Sequence, residues 1–360
     1  MLNFLQLPEI LKSKQEEEMQ EGIFKALKII AAGSILSFGT AQSQALTLNG
    51  AGASFPAPVY RVWTYTFAEK SGNTINYQSL GSGAGIAQIK SKTVDFGATD
   101  EPLVKEELDK NNLFQFPMLM GGVVPVVNLP GIKSGDLKLT PELLAKVYLG
   151  KIKQWNDDEI MKLNPKLKIA SIPVTVAHRS DGSGTTWIFT NYLTKVSKEW
   201  ADNVGCGKAV KWPVGIGGQK NPGVVNVVKK TVGAIGYVEY TYAVEAGMCC
   251  VSLQNQSGAF VKPAMESFRA AGENADWKNA PGFYMVLTNQ PGEKSWPITG
   301  VTYILLQKKQ PDAAKADEML KYFAWCLKEG SELAVKLNYV PMPESVVSLI
   351  DAGLKENIVK

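Results

Sequence analysis

Three short segments of this 360-residue chain carry residue types suited to holding an oxyanion. They are Gly50-Ala51-Gly52-Ala53-Ser54-Phe55, Gly81-Ser82-Gly83-Ala84-Gly85 and Asp181-Gly182-Ser183-Gly184-Thr185. Each sets glycines beside a small hydroxyl residue and is followed by apolar residues at helical spacing. The first four N–H groups of a helix have no partner inside it, and the helix dipole adds partial positive charge there. Glycine lets an oxyanion approach the backbone closely, and Ser or Thr adds a donor without bulk. One such turn is more often an ordinary helix cap; three in one chain point to a shared anion.

The third turn also has a cation. Arg179 stands just before its glycines, and a guanidinium can grip two oxygens of one anion with parallel hydrogen bonds while staying charged near neutral pH. Asp181 is close enough in sequence to pair with Arg179, either as a plain salt bridge or as a second-layer group that orients the guanidinium. Enzyme motifs are not met. There is no G-x-S-x-G elbow, and the one histidine, His178, has no nucleophile spaced around it and reads as a strand-end residue. Gly215-Ile216-Gly217-Gly218-Gln219-Lys220 lacks the G-K-[ST] ending of a P-loop, and Gly50-Ala51-Gly52 runs into Phe55 where a dinucleotide fingerprint wants glycine or alanine.

The elements that must position these turns mix short β-branched runs with amphipathic helices, the pattern of an α/β protein. Val59, Val62, Trp63 and Phe67 recur at helical spacing, as do Ile188, Phe189, Tyr192, Leu193 and Val196. Thr140-Pro141 reads as N-cap and first-turn proline of a helix closed by Gly150. The stretch from Asp317 to Leu337 reads as one long helix. Strands are predicted over Leu46 to Leu48, Val94 to Gly97, Val123 to Val127, Val174 to Ala177, Ala234 to Tyr240 and Val301 to Leu306.

Composition narrows the class. Hydrophobic residues make up 45% and charged residues 20%, as in an ordinary globular protein, and a net charge of +4 without a basic block argues against nucleic acid or an anionic membrane surface. Near the N-terminus, Lys25 and Lys28 precede an apolar run from Ile29 to Phe38 and small residues ending in Ser43-Gln44-Ala45, the arrangement of a Sec signal cleaved after Ala45. The run is shorter than the roughly 20 residues that span a bilayer. Met19 makes a more ordinary initiator than Met1. Cys206, Cys249, Cys250 and Cys326 show no C-x-x-C spacing, so they read as packed thiols with room for one disulfide, and no metal or other cofactor is expected.

The stretches GAGASFPAPVY, NYQSLGSGAGIAQI, VDFGATDEPL, FQFPMLMGGVVPVVNLPG, VYLGKIKQWND, RSDGSGTTWIFTNYL, VKWPVGIGG and VGAIGYVEY together resemble the periplasmic phosphate-binding proteins of ABC phosphate importers. The resemblance covers nearly all of the chain after Ala45. It implies the two-lobed periplasmic binding protein fold of type II, with a ligand cleft between α/β lobes joined by hinge strands: residues 46–124 plus 299–360 as lobe I and 125–298 as lobe II. It further implies that Ser54, Phe55, Ser82 and Asp100 on one lobe, and Arg179, Ser183, Gly184 and Thr185 on the other, hold inorganic phosphate. Ser54 stands where the family commonly has Thr, a change that keeps the hydroxyl, and His178 is assigned no contact. Asp100 is the residue that spacing alone would leave as a helix cap or turn. Phosphate near neutral pH keeps a proton, so an ionised Asp100 can accept a hydrogen bond that sulfate cannot offer. The expected partners are phosphate and the membrane permease subunits of an importer, for a monomeric, non-enzymatic protein of the periplasm. A sulfate or tungstate receptor and a phosphomonoester hydrolase are the rival readings.

Overall fold

The computed structural model describes residues 45–273 and 275–360. The expected Sec signal lies outside them. Among the described residues no helix is long and apolar enough to cross a membrane.

The first turn is set up by strand β1 (Thr47–Gly52) and helix α1 (Ala57–Ser71), the second by β2 (Thr74–Ser79) and α2 (Ser82–Lys90). Strand β3 (Phe96–Thr99) ends one residue before Asp100. The spine of the molecule is β4 (Leu113–Val127), fifteen residues that are all buried. Strand β5 (Thr175–Arg179) leads into α3 (Gly184–Val196), β6 (Ile216–Gly218) into α4 (Lys220–Lys230), and β7 (Ala234–Glu239) and β8 (Thr299–Gln307) complete the main path. Across the sheet the order is β2-β1-β3-β8-β4-β7-β5-β6. Strands β1, β2 and β3 are parallel, as are β5, β6 and β7, while β4 and β8 run antiparallel to their neighbours.

Two α/β lobes follow from the way β4 changes partners. Leu113 to Gly122 pair with β8, and Val123 to Val127 pair with β7. The change falls at Gly121-Gly122, where the missing side chains make room for aromatic rings: a Cβ on Gly121 would lie 2.9 Å from the Phe55 ring, and one on Gly122 would lie 2.2 Å from Phe268. The sequence pattern showed only the second half of β4, because Pro117 and the glycine pair interrupt the first half. The register irregularity of β8 opposite Pro117 absorbs the proline there.

Other expectations are refined. Strand β3 sits two residues later than its apolar pattern suggested, β5 runs on to Arg179, and β2, with its polar exposed positions, gave no strand signal. The stretch expected as one helix to Leu337 is two, Ala313–Leu327 and Ser331–Lys336, broken around Gly330, where any Cβ would lie 2.9 Å from the Cys326 backbone. The Thr140 cap is as expected, its side chain accepting from Leu143 N, with Gly150 at φ 72° after the helix. All four cysteines are free, so the disulfide for which the sequence left room does not form.

Candidate functional site

The turns after β1, β2 and β5 and the residue after β3 converge on one cleft between the lobes. Ser54, Phe55, Ser82, Asp100, Arg179, Ser183 and Thr185 are all buried there. Ser82 ties the walls together: its Oγ accepts from Asp100 N at 3.1 Å on its own lobe and from Gly184 N at 3.1 Å on the other, and it lies 3.4 Å from Asp100 Oδ2. Gly184 must be glycine for this approach, since a Cβ would lie 2.4 Å from Ser82 Oγ and 2.5 Å from Asp100 Oδ2. Beside it, Gly83 N donates to Gly182 O at 2.9 Å, again from wall to wall. At the rim Lys208 forms an ion pair with Glu101 across the same gap.

The hydroxyl turns do cap helices as well. Ser183 is the N-cap of α3, its Oγ accepting from Thr186 N at 3.0 Å. That bond uses the oxygen and leaves the hydroxyl hydrogen for another acceptor. Capping and anion holding are therefore compatible at Ser183.

Arg179 and Asp181 make a two-pronged ion pair, Nε to Oδ1 at 2.8 Å and Nη2 to Oδ2 at 2.6 Å, with Lys220 N also donating to Asp181 Oδ1. Burial by itself would raise the Asp181 value; the Arg179 guanidinium and the Lys220 N–H outweigh it and hold the carboxyl below its ordinary range. Asp181 thus fixes one edge of the guanidinium. Arg179 Nη1, fully buried, has no hydrogen-bond partner, and neither has Asp100 Oδ1. Burial pushes Asp100 up to about 7, against the opposing pull of the Thr302 hydroxyl, Arg179 and Ser82 nearby. The cleft therefore presents a buried cationic donor and a buried carboxyl oxygen, both without protein partners, on opposite walls. His178 faces elsewhere, stacked on Trp212 with ring centroids 4.9 Å apart.

Three residues of the cleft were not anticipated. Asn221, in the first turn of α4, donates to Ser54 Oγ at 3.0 Å and to Thr185 Oγ1 at 3.3 Å, joining the lobes. Tyr242 and Tyr339 donate to the carbonyls of Ser54 and Phe55, each at 2.7 Å, and so pin the first turn. The Gly217-Gly218 stretch before Asn221 is a fourth strand, glycine turn and helix; tested only as a nucleotide motif, it gave no sign of its part here.

A continuous sheet bent into two lobes, with a closed polar cleft between them, defines a solute-binding protein. The PBP superfamily domain model matches residues 39–329. The phosphate-binding protein PstS of Haemophilus influenzae is 49% identical over 325 residues, covering 90% of this chain and 97% of that protein, and PstS of Pasteurella multocida is 50% identical over 318 residues, covering 88% and 92%. The chain belongs to the PstS family of phosphate-binding proteins. Its fold is shared by a putative phosphate ABC transporter substrate-binding protein from Clostridium perfringens, 18% identical with a TM-score of 0.60 over 82% of this chain and 100% of that one.

Proposed function

We propose that the chain binds inorganic phosphate in the cleft between its lobes and hands it to the permease subunits of an ABC importer, without turning it over. The observation that carries this is the pair of unpartnered buried atoms, Arg179 Nη1 and Asp100 Oδ1. Burying charged and polar atoms without partners is costly, so their preferred ligand supplies both an acceptor and a donor. Protonated phosphate does both: its oxygens accept from Arg179, and its proton goes to an ionised Asp100. The holding set is Ser54, Phe55, Ser82, Asp100, Arg179, Ser183, Gly184 and Thr185, with Asp181 orienting Arg179.

In this reading lobe I is residues 46–124 plus 299–360 and lobe II is residues 125–298. The exchange of partners on β4 after Gly122, two residues before the first limit, and the start of β8 at Thr299 support that division. The chain is exported by its N-terminal signal, cut after Ala45, and works in the periplasm as a monomer; that β1 begins only at Thr47 is in keeping with the cut. The test is calorimetry on the exported chain, whose intact mass should place its first residue at or near Leu46. Tight, saturable heat with phosphate and little with sulfate is expected. Equal binding of the two anions, or none, would overturn the reading.

A further inference from the structure

We infer that Asn221 is a positioning residue that makes the Ser54 and Thr185 hydroxyls donate into the cleft; the inference rests on the phosphate reading above. Asn221 is fully buried, and the backbone N–H of Glu239 donates to its Oδ1 at 2.9 Å. A backbone N–H can only donate, so this contact settles which end of the amide is oxygen and which is nitrogen. The nitrogen has two hydrogens. One goes to Ser54 Oγ on one wall and the other to Thr185 Oγ1 on the opposite wall. Both hydroxyl oxygens are thereby acceptors toward Asn221, and each retains one hydrogen to give.

Among the described residues neither hydroxyl hydrogen has a protein acceptor. A bare serine or threonine hydroxyl rotates and can meet a ligand with a lone pair as readily as with a hydrogen. With Asn221 in place the rotors are set, and both hydrogens are left for ligand oxygens. The Ser54 bond crosses between the lobes, whereas Thr185 shares lobe II with Asn221, so the setting of both hydroxyls is complete only when the walls have come together. Asn221 touches no ligand in this scheme; it acts through two groups that do.

The test is a double-mutant cycle on the exported protein, titrated calorimetrically with inorganic phosphate: Asn221→Ala, Ser54→Ala with Thr185→Val, and all three together. Asn221→Ala is expected to weaken binding about tenfold in the wild-type background, the loss of roughly one net hydrogen bond, and less than about twofold once the hydroxyls are gone, because contacting groups do not add. Asn221→Asp is nearly isosteric and keeps an acceptor for Glu239 N–H, which guards against a folding defect. Its carboxylate draws the hydroxyl hydrogens to itself, so phosphate binding should fall further than for Asn221→Ala at pH 8, and the gap between the two variants should narrow at pH 5 as that carboxyl gains a proton to donate. Independent, additive losses, or a gap that ignores pH, would overturn the inference while wild type still binds phosphate. A wild type that binds none overturns the reading of function, and this inference with it.

Discussion

Asp100 is the residue at which charge intuition and chemistry part. A carboxyl buried beside an anion is unfavourable unless the two share a proton, and burial pushes this one up to about 7, so its charge changes across the neutral range. In the proposed site, above that value the ionised group would accept from protonated phosphate and oppose sulfate lone pairs; below it the neutral group would donate to sulfate. Sulfate should therefore compete with phosphate more strongly as pH falls from 8 to 5. Asn offers both a donor and an acceptor at every pH. Asp100→Asn should lose much of the preference and its pH dependence while still binding phosphate, as read by sulfate competition at the two pH values. An unchanged preference would remove Asp100 from the selecting role. At this scale the glycine and hydroxyl turns and Arg179 could be read directly from residue types. Asp100 emerged only through the family resemblance, because a single carboxyl after a strand has no spacing signature. Asn221 did not emerge, because an amide's role depends on what three separate segments place around it.

At the scale of elements, the end of β7 meets the C-terminal segment through a buried carboxyl. Tyr339 has one hydroxyl hydrogen but faces two acceptors, Phe55 O at 2.7 Å and Glu239 Oε2 at 2.9 Å. Thr241 likewise faces Leu337 O at 2.6 Å and Glu239 Oε1 at 3.3 Å. A protonated Glu239 resolves the count at Tyr339 by donating to it; Tyr339 then donates to Phe55 O and steadies the first turn, while Thr241 gives its one hydrogen to the closer Leu337 O. Burial pushes Glu239 up to about 8; Thr241 and Tyr339 pull it down, and Glu245 adds a smaller upward push. The folded state thus keeps a proton that the unfolded chain releases above about 4.3. Stability should fall as pH rises from about 4.3 to about 8, at up to about 1.4 kcal/mol per pH unit for this one proton, and level off above. Glu239→Gln, which donates at all pH values, should flatten its share of that slope in urea unfolding at pH 5, 7 and 8.5; the Asp100 share, of the same sign, remains. An unaltered slope would show that Glu239 is ionised in the fold.

For the whole molecule the issue is closure. The lobes meet through Ser82 with Gly184, Gly83 with Gly182, Asn221 with Ser54, and Lys208 with Glu101. In the proposed site each wall alone would leave oxygens of a buried anion unpaired, so phosphate should favour the state in which both walls reach it. Small-angle scattering should give a smaller radius of gyration with phosphate than without it. Arg179→Ala removes a charge-assisted contact and leaves ligand oxygens unsatisfied, so it should weaken binding by at least about 2 kcal/mol and show little compaction at the same phosphate concentration. Compaction of that variant with wild-type affinity would make Arg179 structural.

Residue types and their local spacing were enough for the α/β class, the family, the three glycine-and-hydroxyl turns and the cation beside one of them. These are local properties: glycine, a small hydroxyl and a following apolar period act within a few residues of one another. Tertiary packing is what makes Asp181 hold one edge of Arg179, bars a side chain at Gly184, carries β4 buried through both lobes, and lets Asn221 and Tyr339 brace the first turn from afar. Asn221 lies 167 positions from Ser54, and Tyr339 lies 284 from Phe55. No periodicity links such residues, and their roles arise only when packing brings hydrogen-bonding atoms within about 3 Å of each other.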